Sequence, residues 1–433
     1  MTTPVPAAFH IRPARGWLND PNGMIHHDGR WHVFFQHNPA AARHTNIHWG
    51  HVSSPDLLSW TEHPVAFGPT PDGLDVGGCW SGVCVVDGDR VAAVYTGIAA
   101  TALDSTVCLR YAADVGLERW SPPRVVARQQ DVPAEVGLRE MRDPVVFAAL
   151  GRRWALLGGG LADGTPVLLL WSCDDLESWR FERVWLSGTD PVLSGLAPAE
   201  IWECPQLVEV DGSWVLLVSL LRDNQPEGTV AAVGSMGVDA RGRPQLTLRG
   251  GGPVDEGRAF YAPQVALDPD GPWLLGWVIE TGVPDDAPDD SVAGCLTLPR
   301  RLSLIDDHVV SRADPRTRRL IGPVVPIDGA VPACAHLSVG DGGATLVGSQ
   351  GPVMLTAGAE AWLDGDVVEV YPADGGPVTQ RHPMTSPWVI APGGRVTVRQ
   401  VVTACGSSDE PRPLASGTVV ALATDLPDAV LPT

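Results

Sequence analysis

Three acidic residues of this sequence stand in near-identical settings beside proline. They occur in Asn19-Asp20-Pro21, Arg142-Asp143-Pro144 and Glu203-Cys204-Pro205. Carboxylates that lie close together raise each other's pKa and destabilise the folded protein, so such a group usually indicates a functional site. Glycoside hydrolysis uses such a set: one carboxylate attacks the anomeric carbon or activates water, and a protonated one donates to the leaving oxygen. A third can bind sugar hydroxyls and stabilise positive charge in the transition state.

A repeat of about sixty residues predicts the elements that position these acids. A turn followed by Trp recurs before Trp31, Trp154, Trp214 and Trp273, and the similar turn Asp87-Gly88-Asp89 precedes Arg90. A second, offset repeat ends at Trp60, Trp120 and Trp179. Short apolar runs bounded by Gly, Pro, Asp and Asn are typical of strands. Five strand-rich units predict an all-β fold, specifically a five-bladed β-propeller.

The repeat also predicts where the acids meet. Counting back eleven residues from the fourth residue of each turn motif gives Asp20, Cys79, Asp143, Glu203 and Ala262. Equivalent positions in a propeller are related by rotation about its central channel. We therefore expect the three acids to occupy equivalent positions on innermost strands and to converge on that channel.

Composition excludes several classes of function. The 433 residues carry a formal net charge of −21, and all thirty basic residues are Arg. This charge disfavours binding to nucleic acid or to an anionic membrane. The absence of Lys from the sequence excludes P-loop, Schiff-base and pyridoxal-phosphate lysine chemistry. The expected partner is a small-molecule sugar, with no cofactor.

The cysteines and the N-terminus indicate a compartment. The eight cysteines are scattered without a CxxC pair, so we expect reduced, mostly buried thiols. The first fifteen residues contain no apolar run of signal-peptide length. No stretch approaches the ~20 apolar residues of a transmembrane helix. A cytoplasmic location is therefore the expectation.

Metal binding is the rival chemistry. Nine of the twelve histidines fall in residues 10–63, and His44 and His48 have the spacing of zinc ligands on one helix face. The residues between them predict strand and turn, so a structural or surface role is favoured for these histidines. Asp20-Pro21-Asn22-Gly23 lacks the alternating acids of a calcium loop and predicts an ordinary Asx turn. We predict that no metal is needed.

Several motifs, in order over about residues 10–302, resemble those of glycoside hydrolase family 32, which contains invertases, inulinases and levanases. They are His10-Ile11-Arg12-Pro13 with Gly16-Trp17-Leu18-Asn19-Asp20-Pro21-Asn22-Gly23, Phe34-Phe35-Gln36-His37-Asn38-Pro39, His48-Trp49-Gly50-His51, Cys79-Trp80-Ser81-Gly82, Arg142-Asp143-Pro144, Glu203-Cys204-Pro205, Phe260-Tyr261-Ala262-Pro263-Gln264, Gly276-Trp277 and Leu298-Pro299-Arg300.

The resemblance implies roles for individual residues in a retaining β-fructofuranosidase. Asp20 would be the nucleophile, Glu203 the general acid/base and Asp143 the stabiliser of the transition state. The substrate pocket would contain Asn19, Gln36, Trp49, Trp80, Ser81, Arg142, Tyr261 and Trp277. For Trp49 and Trp80 the motif context predicts a larger role in substrate binding than in folding.

Two departures from the family pattern affect the expectations. Val83 stands where many members have a second Ser, which removes one polar group near the pocket. The C-terminal part is also shorter than the family's usual β-sandwich, although residues 363–371 and 374–376 resemble part of it. The predicted domains are a propeller over residues 1–315 and a small, trimmed β-sandwich over residues 316–433.

Three other functions stay open from the sequence. An inverting arabinan- or xylan-active propeller hydrolase also uses two Asp and one Glu, and differs in the separation of its carboxyls. A fructosyltransferase passes the same covalent intermediate to a sugar. A catalytically dead sugar-binding propeller would lack turnover. The sequence does not decide between sucrose, kestose, inulin and levan, or the oligomeric state.

Overall fold

A computed structural model describes residues 9–402 except 100, 102, 282, 284–286, 289–290, 328–329 and 392–394. In this part of the chain the strands form seven sheets, joined by short 3₁₀ turns and one α-helical turn, α1 (Leu193–Leu196). The prediction of an all-β fold is therefore confirmed. No helix of the described residues has the length and apolar character needed to cross a membrane.

The first four sheets are antiparallel and contain consecutive strands. Sheet 1 contains β1 (Gly16–His27), β2 (Arg30–Asn38), β3 (His48–Ser54) and β4 (Thr61–Glu62). Sheet 2 contains β5 (Gly78–Asp87), β6 (Arg90–Ile98), β7 (Ser105–Tyr111) and β8 (Arg124–Arg128). After 3₁₀ turns at Gln129–Asp131 and Ala134–Val136, sheet 3 contains β9 (Leu138–Ala149), β10 (Arg152–Leu161), β11 (Pro166–Ser172) and β12 (Arg180–Ser187). Sheet 4 contains β13 (Ile201–Val210), β14 (Ser213–Arg222), β15 (Gln225–Val238) and β16 (Pro244–Pro253).

Sheet 5 connects back to sheet 1. Its strands are β17 (Phe260–Asp268), β18 (Gly271–Val278), β20 (Cys295–Leu296), β21 (Arg300–Ile305) and β22 (His308–Ala313). The short strand β19 (Val292–Ala293) leaves this sheet and pairs in parallel with the start of β1. This strand belongs to sheet 1, so the chain between β18 and β20 of sheet 5 is hydrogen-bonded to the first strand of the described chain.

The predicted repeat corresponds to the start of the second strand in sheets 1 to 5. Trp31, Trp154, Trp214 and Trp273 lie at the beginning of β2, β10, β14 and β18. At Asp28-Gly29, Leu150-Gly151 and Asp211-Gly212 both turn residues have positive φ. This geometry matches the twist of the two strands that a two-residue hairpin joins. The local turn chemistry therefore fixes where each of these hairpins reverses.

Apolar clusters lie between neighbouring sheets all the way round. They occupy the space between sheets 1 and 2, among sheets 2, 3 and 4, between sheets 4 and 5, and between sheets 5 and 1. The first strands β1, β5, β9, β13 and β17 likewise each contact the next, and β17 contacts β1. The sheets are thus arranged as a ring with their first strands innermost.

Residues 321–401 form two further sheets around their own core. A 3₁₀ turn at Pro315–Leu320 precedes them. In spatial order, sheet 6 contains β23 (Ile321–Val324), β31 (Val396–Val401), β24 (Cys334–Val339), β27 (Glu360–Asp364), β28 (Val367–Tyr371) and β29 (Val378–Arg381). Sheet 7 contains β26 (Gly351–Leu355), β25 (Ala344–Gly348) and β30 (Val389–Ile390). Leu337, Leu346 and Leu363 belong to one apolar cluster, so the two sheets pack on each other. The end of the predicted second domain, residues 403–433, lies outside the described residues.

Buried charges join this second unit to the ring of sheets. His10 bonds through Nδ1 to Asp364 at 2.8 Å and through Nε2 to Glu369 at 2.7 Å, and all three side chains are fully buried. Burial opposes the charge on His10, but the two carboxylates outweigh it and raise its pKa. Arg300 of sheet 5 also pairs with Glu369 and with Asp255. Removal of one partner from such a network leaves a buried charge unpaired, which is strongly destabilising.

Candidate active site

The first strand of each of sheets 1 to 5 carries the same irregularity. At one point in each sheet, two residues of the first strand lie opposite a single residue of the second strand, which is a β-bulge. The bulged pairs are Asn19–Asp20, Trp80–Ser81, Asp143–Pro144, Cys204–Pro205 and Ala262–Pro263. A bulge re-aims side chains and leaves a backbone amide without its ladder partner. It therefore turns polar groups of the innermost strands toward the centre of the ring.

The freed amides find partners on the neighbouring sheet. The Asp143 amide donates to Thr96 Oγ1 at 2.7 Å, and the Ala262 amide donates to Ser219 Oγ at 3.1 Å. The Cys204 amide donates to Asp143 Oδ2 at 3.0 Å. These contacts satisfy buried backbone groups and link each bulge to the preceding sheet.

The three predicted acids do converge, but not at equivalent positions. Asp20 and Asp143 lie inside the bulges of β1 and β9, whereas Glu203 is the last paired residue before the bulge of β13. The residue of β9 that corresponds to Glu203 is Arg142, and Asp143 corresponds to Cys204. The constant offset of eleven residues is therefore wrong by one residue for Asp20 and for Glu203, because the number of residues between the bulge and the Trp of the second strand differs from sheet to sheet.

Asp20 is buried and is held by two polar side chains. Ser81 Oγ donates to Asp20 Oδ2 at 2.7 Å, and Gln36 Nε2 donates to the same oxygen at 2.9 Å. Burial raises the pKa of Asp20, the Ser81 hydrogen bond opposes that rise, and the charge of Glu203 adds to it. The carboxylate is thus fixed in orientation by residues from β2 and β5.

Asp143 is linked to Asp20 through Cys204. The Cys204 thiol lies 3.6 Å from Asp20 Oδ2 and 3.5 Å from Asp143 Oδ2. Burial raises the pKa of Asp143, and the negative charge of Glu203 raises it further. Burial and the neighbouring carboxylates also raise the pKa of Cys204 well above the usual thiol value. The sulfur is therefore a neutral thiol between two carboxylates, and the sequence prediction did not include Cys204 among the site residues.

Glu203 accepts hydrogen bonds at both carboxyl oxygens. Arg142 Nη1 donates to Oε1 at 2.9 Å, and the Tyr261 hydroxyl donates to Oε2 at 2.8 Å. Burial raises the pKa of Tyr261, and the charge of Glu203 raises it further. Tyr261 is therefore a protonated donor at neutral pH. Glu203 thus has different partners from Asp20 and Asp143.

Aromatic and polar side chains surround the carboxylates. Trp17 Nε1 donates to Asn19 Oδ1 at 2.7 Å, and the Trp17 ring meets Trp277 edge to face with centroids 6.0 Å apart. Arg142 lies 5.4 Å from the centre of the half-exposed Trp80 ring. Of the predicted pocket residues, Asn19, Gln36, Trp80, Ser81, Arg142, Tyr261 and Trp277 are thus linked by contacts to this group.

His44 is a member of the site that the sequence prediction assigned to a structural or surface role. Its Nε2 lies 3.2 Å from Gln36 Oε1, and its ring centroid lies 5.8 Å from that of Trp80. Burial lowers the pKa of His44 to about 4, so the ring is neutral in ordinary conditions. His44 lies on the loop between β2 and β3, and strand periodicity gives no indication of its direction.

Two other predicted features lie in the core instead. Trp49 is fully buried, its ring stacks on Phe67 with centroids 4.9 Å apart, and its Nε1 donates to Trp80 O at 3.0 Å. The prediction that Trp49 matters little for folding is therefore wrong, because the ring fills the space between sheets 1 and 2. Val83 is buried in the apolar cluster shared by sheets 2, 3 and 4.

Replacement of these two tryptophans should give opposite results. Trp49→Ala is expected to cost ~3–5 kcal/mol of unfolding free energy, as for other buried aromatic residues. Trp80→Ala should change the melting temperature little and should weaken substrate use, because its ring is partly exposed beside Arg142. Thermal unfolding and steady-state kinetics of both variants would test this. A stable Trp49→Ala protein, or a Trp80→Ala protein with unchanged kinetics, would contradict the assignment.

The bulges of the innermost strands leave a small cavity between them. A cavity of about 10 Å³ is lined by Ser81, Asp143 and Cys204 and by residues of the neighbouring bulges. This volume is about that of a single water site. Among the described residues, no three His, Cys, Asp or Glu side chains form a group suited to a metal ion.

The arrangement is suited to acid–base and nucleophilic chemistry on a polar ligand. Asp20 is anchored by neutral donors, Glu203 by an Arg and a Tyr, and Asp143 by a backbone amide and a thiol. Carboxyl groups in different environments can hold different protonation states at one pH. Aromatic faces such as that of Trp80 suit the apolar face of a sugar ring.

Comparison with known proteins agrees with this chemistry. The family model described as "Glycosyl hydrolases family 32 N-terminal domain" matches residues 10–313. A raffinose invertase of Escherichia coli is 31% identical over 321 residues, which are 70% of this chain and 63% of the relative. A sucrose-6-phosphate hydrolase of Bacillus subtilis is 32% identical over 339 residues, which are 72% of this chain and 66% of the relative. The chain thus spans less than two thirds of the length of these relatives.

Solved structures share the fold. A GH32 beta-fructofuranosidase of Bombyx mori superimposes with a TM-score of 0.74 at 23% identity, covering 91% of this chain and 93% of that one. A sucrose-6-phosphate hydrolase of Lactobacillus gasseri gives a TM-score of 0.75 at 20% identity, covering 93% and 94%. At these identities the similarity establishes the fold.

Proposed function

Because this chain belongs to glycoside hydrolase family 32, we propose that it is a retaining β-fructofuranosidase, which removes terminal fructosyl groups from sucrose or a fructo-oligosaccharide. The observation that carries the proposal is the convergence of Asp20, Asp143 and Glu203 at the bulges of three innermost strands. Two relatives are named raffinose invertase and sucrose-6-phosphate hydrolase, which supports a fructoside as substrate.

In the proposed reaction Asp20 attacks the anomeric carbon of the fructosyl group. The bond from that carbon to the leaving oxygen breaks, and the oxygen takes a proton from Glu203. Water then attacks the fructosyl-enzyme, Glu203 takes the proton of the water, and Asp20 is released as a carboxylate. Ser81 and Gln36 hold Asp20 in one orientation throughout.

Asp143 and the surrounding side chains would bind the fructosyl group. Asp143 can accept hydrogen bonds from sugar hydroxyls and stabilise the positive charge that develops on the ring. The pocket is proposed to be lined by Asn19, Gln36, Trp80, Ser81, Arg142, Tyr261 and Trp277, with Trp17 and His44 in addition. Trp49 supports Trp80 from the core and is not proposed to touch the sugar.

We infer that sheets 1 to 5 are the blades of a five-bladed propeller, with the acids in its channel. The ring of contacts among the first strands supports this architecture. We also infer that the described residues from 316 to 402 belong to the predicted trimmed β-sandwich, since sheets 6 and 7 share one core. A cytoplasmic location stays a prediction. It would agree with a small substrate that is imported into the cell.

We expect exo-action, because the family's pocket motifs surround the centre of the ring. The cavity that Asp143 and Ser81 line there has room for about one water. We therefore expect free fructose as the first product from sucrose, kestose, inulin or levan. Chromatography of early products tests this, and a ladder of internal oligosaccharides without early monosaccharide would contradict it.

The same incubations separate the alternative functions. NMR of freshly released sugar should show the β-anomer before mutarotation, whereas an inverting enzyme would release the α-anomer. Products longer than the substrate would indicate a fructosyltransferase. Absence of turnover on every fructoside, with native unfolding behaviour, would indicate a protein that only binds sugar.

A further inference from the structure

Glu140 is a buried acid next to the proposed site to which the family motifs give no role. It lies on β9 two residues before Arg142, and only 6% of it is exposed. It forms an ion pair with Arg142 Nη2, and it accepts a hydrogen bond from Arg139 Nε at 3.0 Å. Arg142 is therefore shared between two carboxylates, Glu140 and Glu203.

This sharing matters because of what Glu203 has to do. Both oxygens of Glu203 accept hydrogen bonds, from Arg142 and from Tyr261, and such bonds favour an ionised carboxylate. A general acid must carry a proton when the glycosidic bond breaks. An undivided Arg142 charge on Glu203 would therefore oppose the first chemical step.

We propose that Glu140 is a positioning residue that holds Arg142 and divides its charge, so that Glu203 can take up the proton it must donate. This inference rests on the proposed function. Glu140 itself touches neither the sugar nor the reacting atoms. Glu140 favours the protonated form of Glu203 in two ways. It draws the guanidinium of Arg142 away from Glu203, and it adds a negative charge on the far side of that guanidinium.

The other charged groups around Glu203 do not replace this effect. Arg139 and Arg142 both contact Glu140. His44 is neutral above about pH 4, because burial lowers its pKa. Asp20 and Asp143 face Glu203 from β1 and β9, and Cys204 and Tyr261 lie on β13 and β17 as neutral donors. Among the described residues, Arg142 forms ion pairs with two carboxylates, Glu203 itself and Glu140.

The test is the pH dependence of kcat/KM for sucrose in Glu140→Gln. The alkaline limb of the profile should move to lower pH, because Arg142 without Glu140 directs its whole charge to Glu203. A fructoside with an aryl leaving group that needs no proton should keep its first-step rate at the same pH. Glu135→Gln removes an exposed acid of the preceding turn and should leave the profile unchanged.

Each outcome decides the proposal. An unmoved alkaline limb in Glu140→Gln overturns it, and so does an equal loss on both substrates at every pH. If Glu140→Gln does not fold, Glu140→Asp must move the limb in the same direction by less, because the shorter side chain releases Arg142; an unmoved limb there also overturns it. A wild-type protein without activity on any fructoside overturns the proposed function itself, and this inference with it.

Discussion

Replacement of Asp20 by Asn is expected to abolish formation of the fructosyl-enzyme with every fructoside, with a loss of activity of at least about a hundredfold, as for other single catalytic groups. The amide is nearly isosteric but cannot attack the anomeric carbon. Ser81 and Gln36 would still contact the side chain at position 20, so the melting temperature should change little. Rapid-quench mass spectrometry would detect the covalent intermediate in the wild type and its absence in the variant.

The pH profile of the rate is a second test of Asp20 as the nucleophile. Asp20 must be ionised to act, and burial raises its pKa above the usual aspartate value. The rate should therefore fall with decreasing pH at a higher pH than for an exposed aspartate. Asp163→Asn, an equivalent change on the exposed loop between β10 and β11, should keep wild-type kinetics. More than about a hundredth of wild-type activity in Asp20→Asn would refute the nucleophile assignment.

Replacement of Glu203 by Gln should separate substrates by their leaving group. Gln can occupy the space between Arg142 and Tyr261, but it cannot donate the proton that a sugar leaving group needs. We expect a loss of about 10²–10⁴-fold on sucrose, the usual contribution of a general acid. An aryl fructoside whose leaving group is stable as an anion should retain its first step, seen as a burst of released aryl alcohol.

The second step provides an independent check on Glu203. Without a base to activate water, the fructosyl-enzyme of Glu203→Gln should accumulate. A small anionic nucleophile such as azide needs no deprotonation and should restore turnover. Glu209→Gln, an exposed acid on the same strand β13, serves as the matched control with unchanged kinetics. Equal inactivity on activated and natural substrates would remove the main support for the acid/base assignment.

The types of neighbouring residues in the sequence determined where the strands and the turns between them lie. A glycine that tolerates positive φ, with Trp close behind it, marks the reversal between first and second strands. Turn conformation and strand alternation depend on neighbours in the chain. For this reason the repeat of about sixty residues is legible in the order of the amino acids alone, and it identifies the segments that contain Asp20, Asp143 and Glu203.

Only the tertiary structure decided which side chains form the site. Strands β9 and β13 carry the same bulge, but the number of residues from the bulge to the following Trp differs between them, so equal spacing did not give equal position for Glu203 and Asp143. Trp49 faces the core between two sheets, although its motif predicted a pocket. His44 and Cys204 contact partners on other strands, and Glu140 is linked to Glu203 of another sheet through Arg142 of its own strand. The segments were set by local interactions, whereas the contacts among them depend on how distant strands pack, which the spacing of residues along one chain does not record.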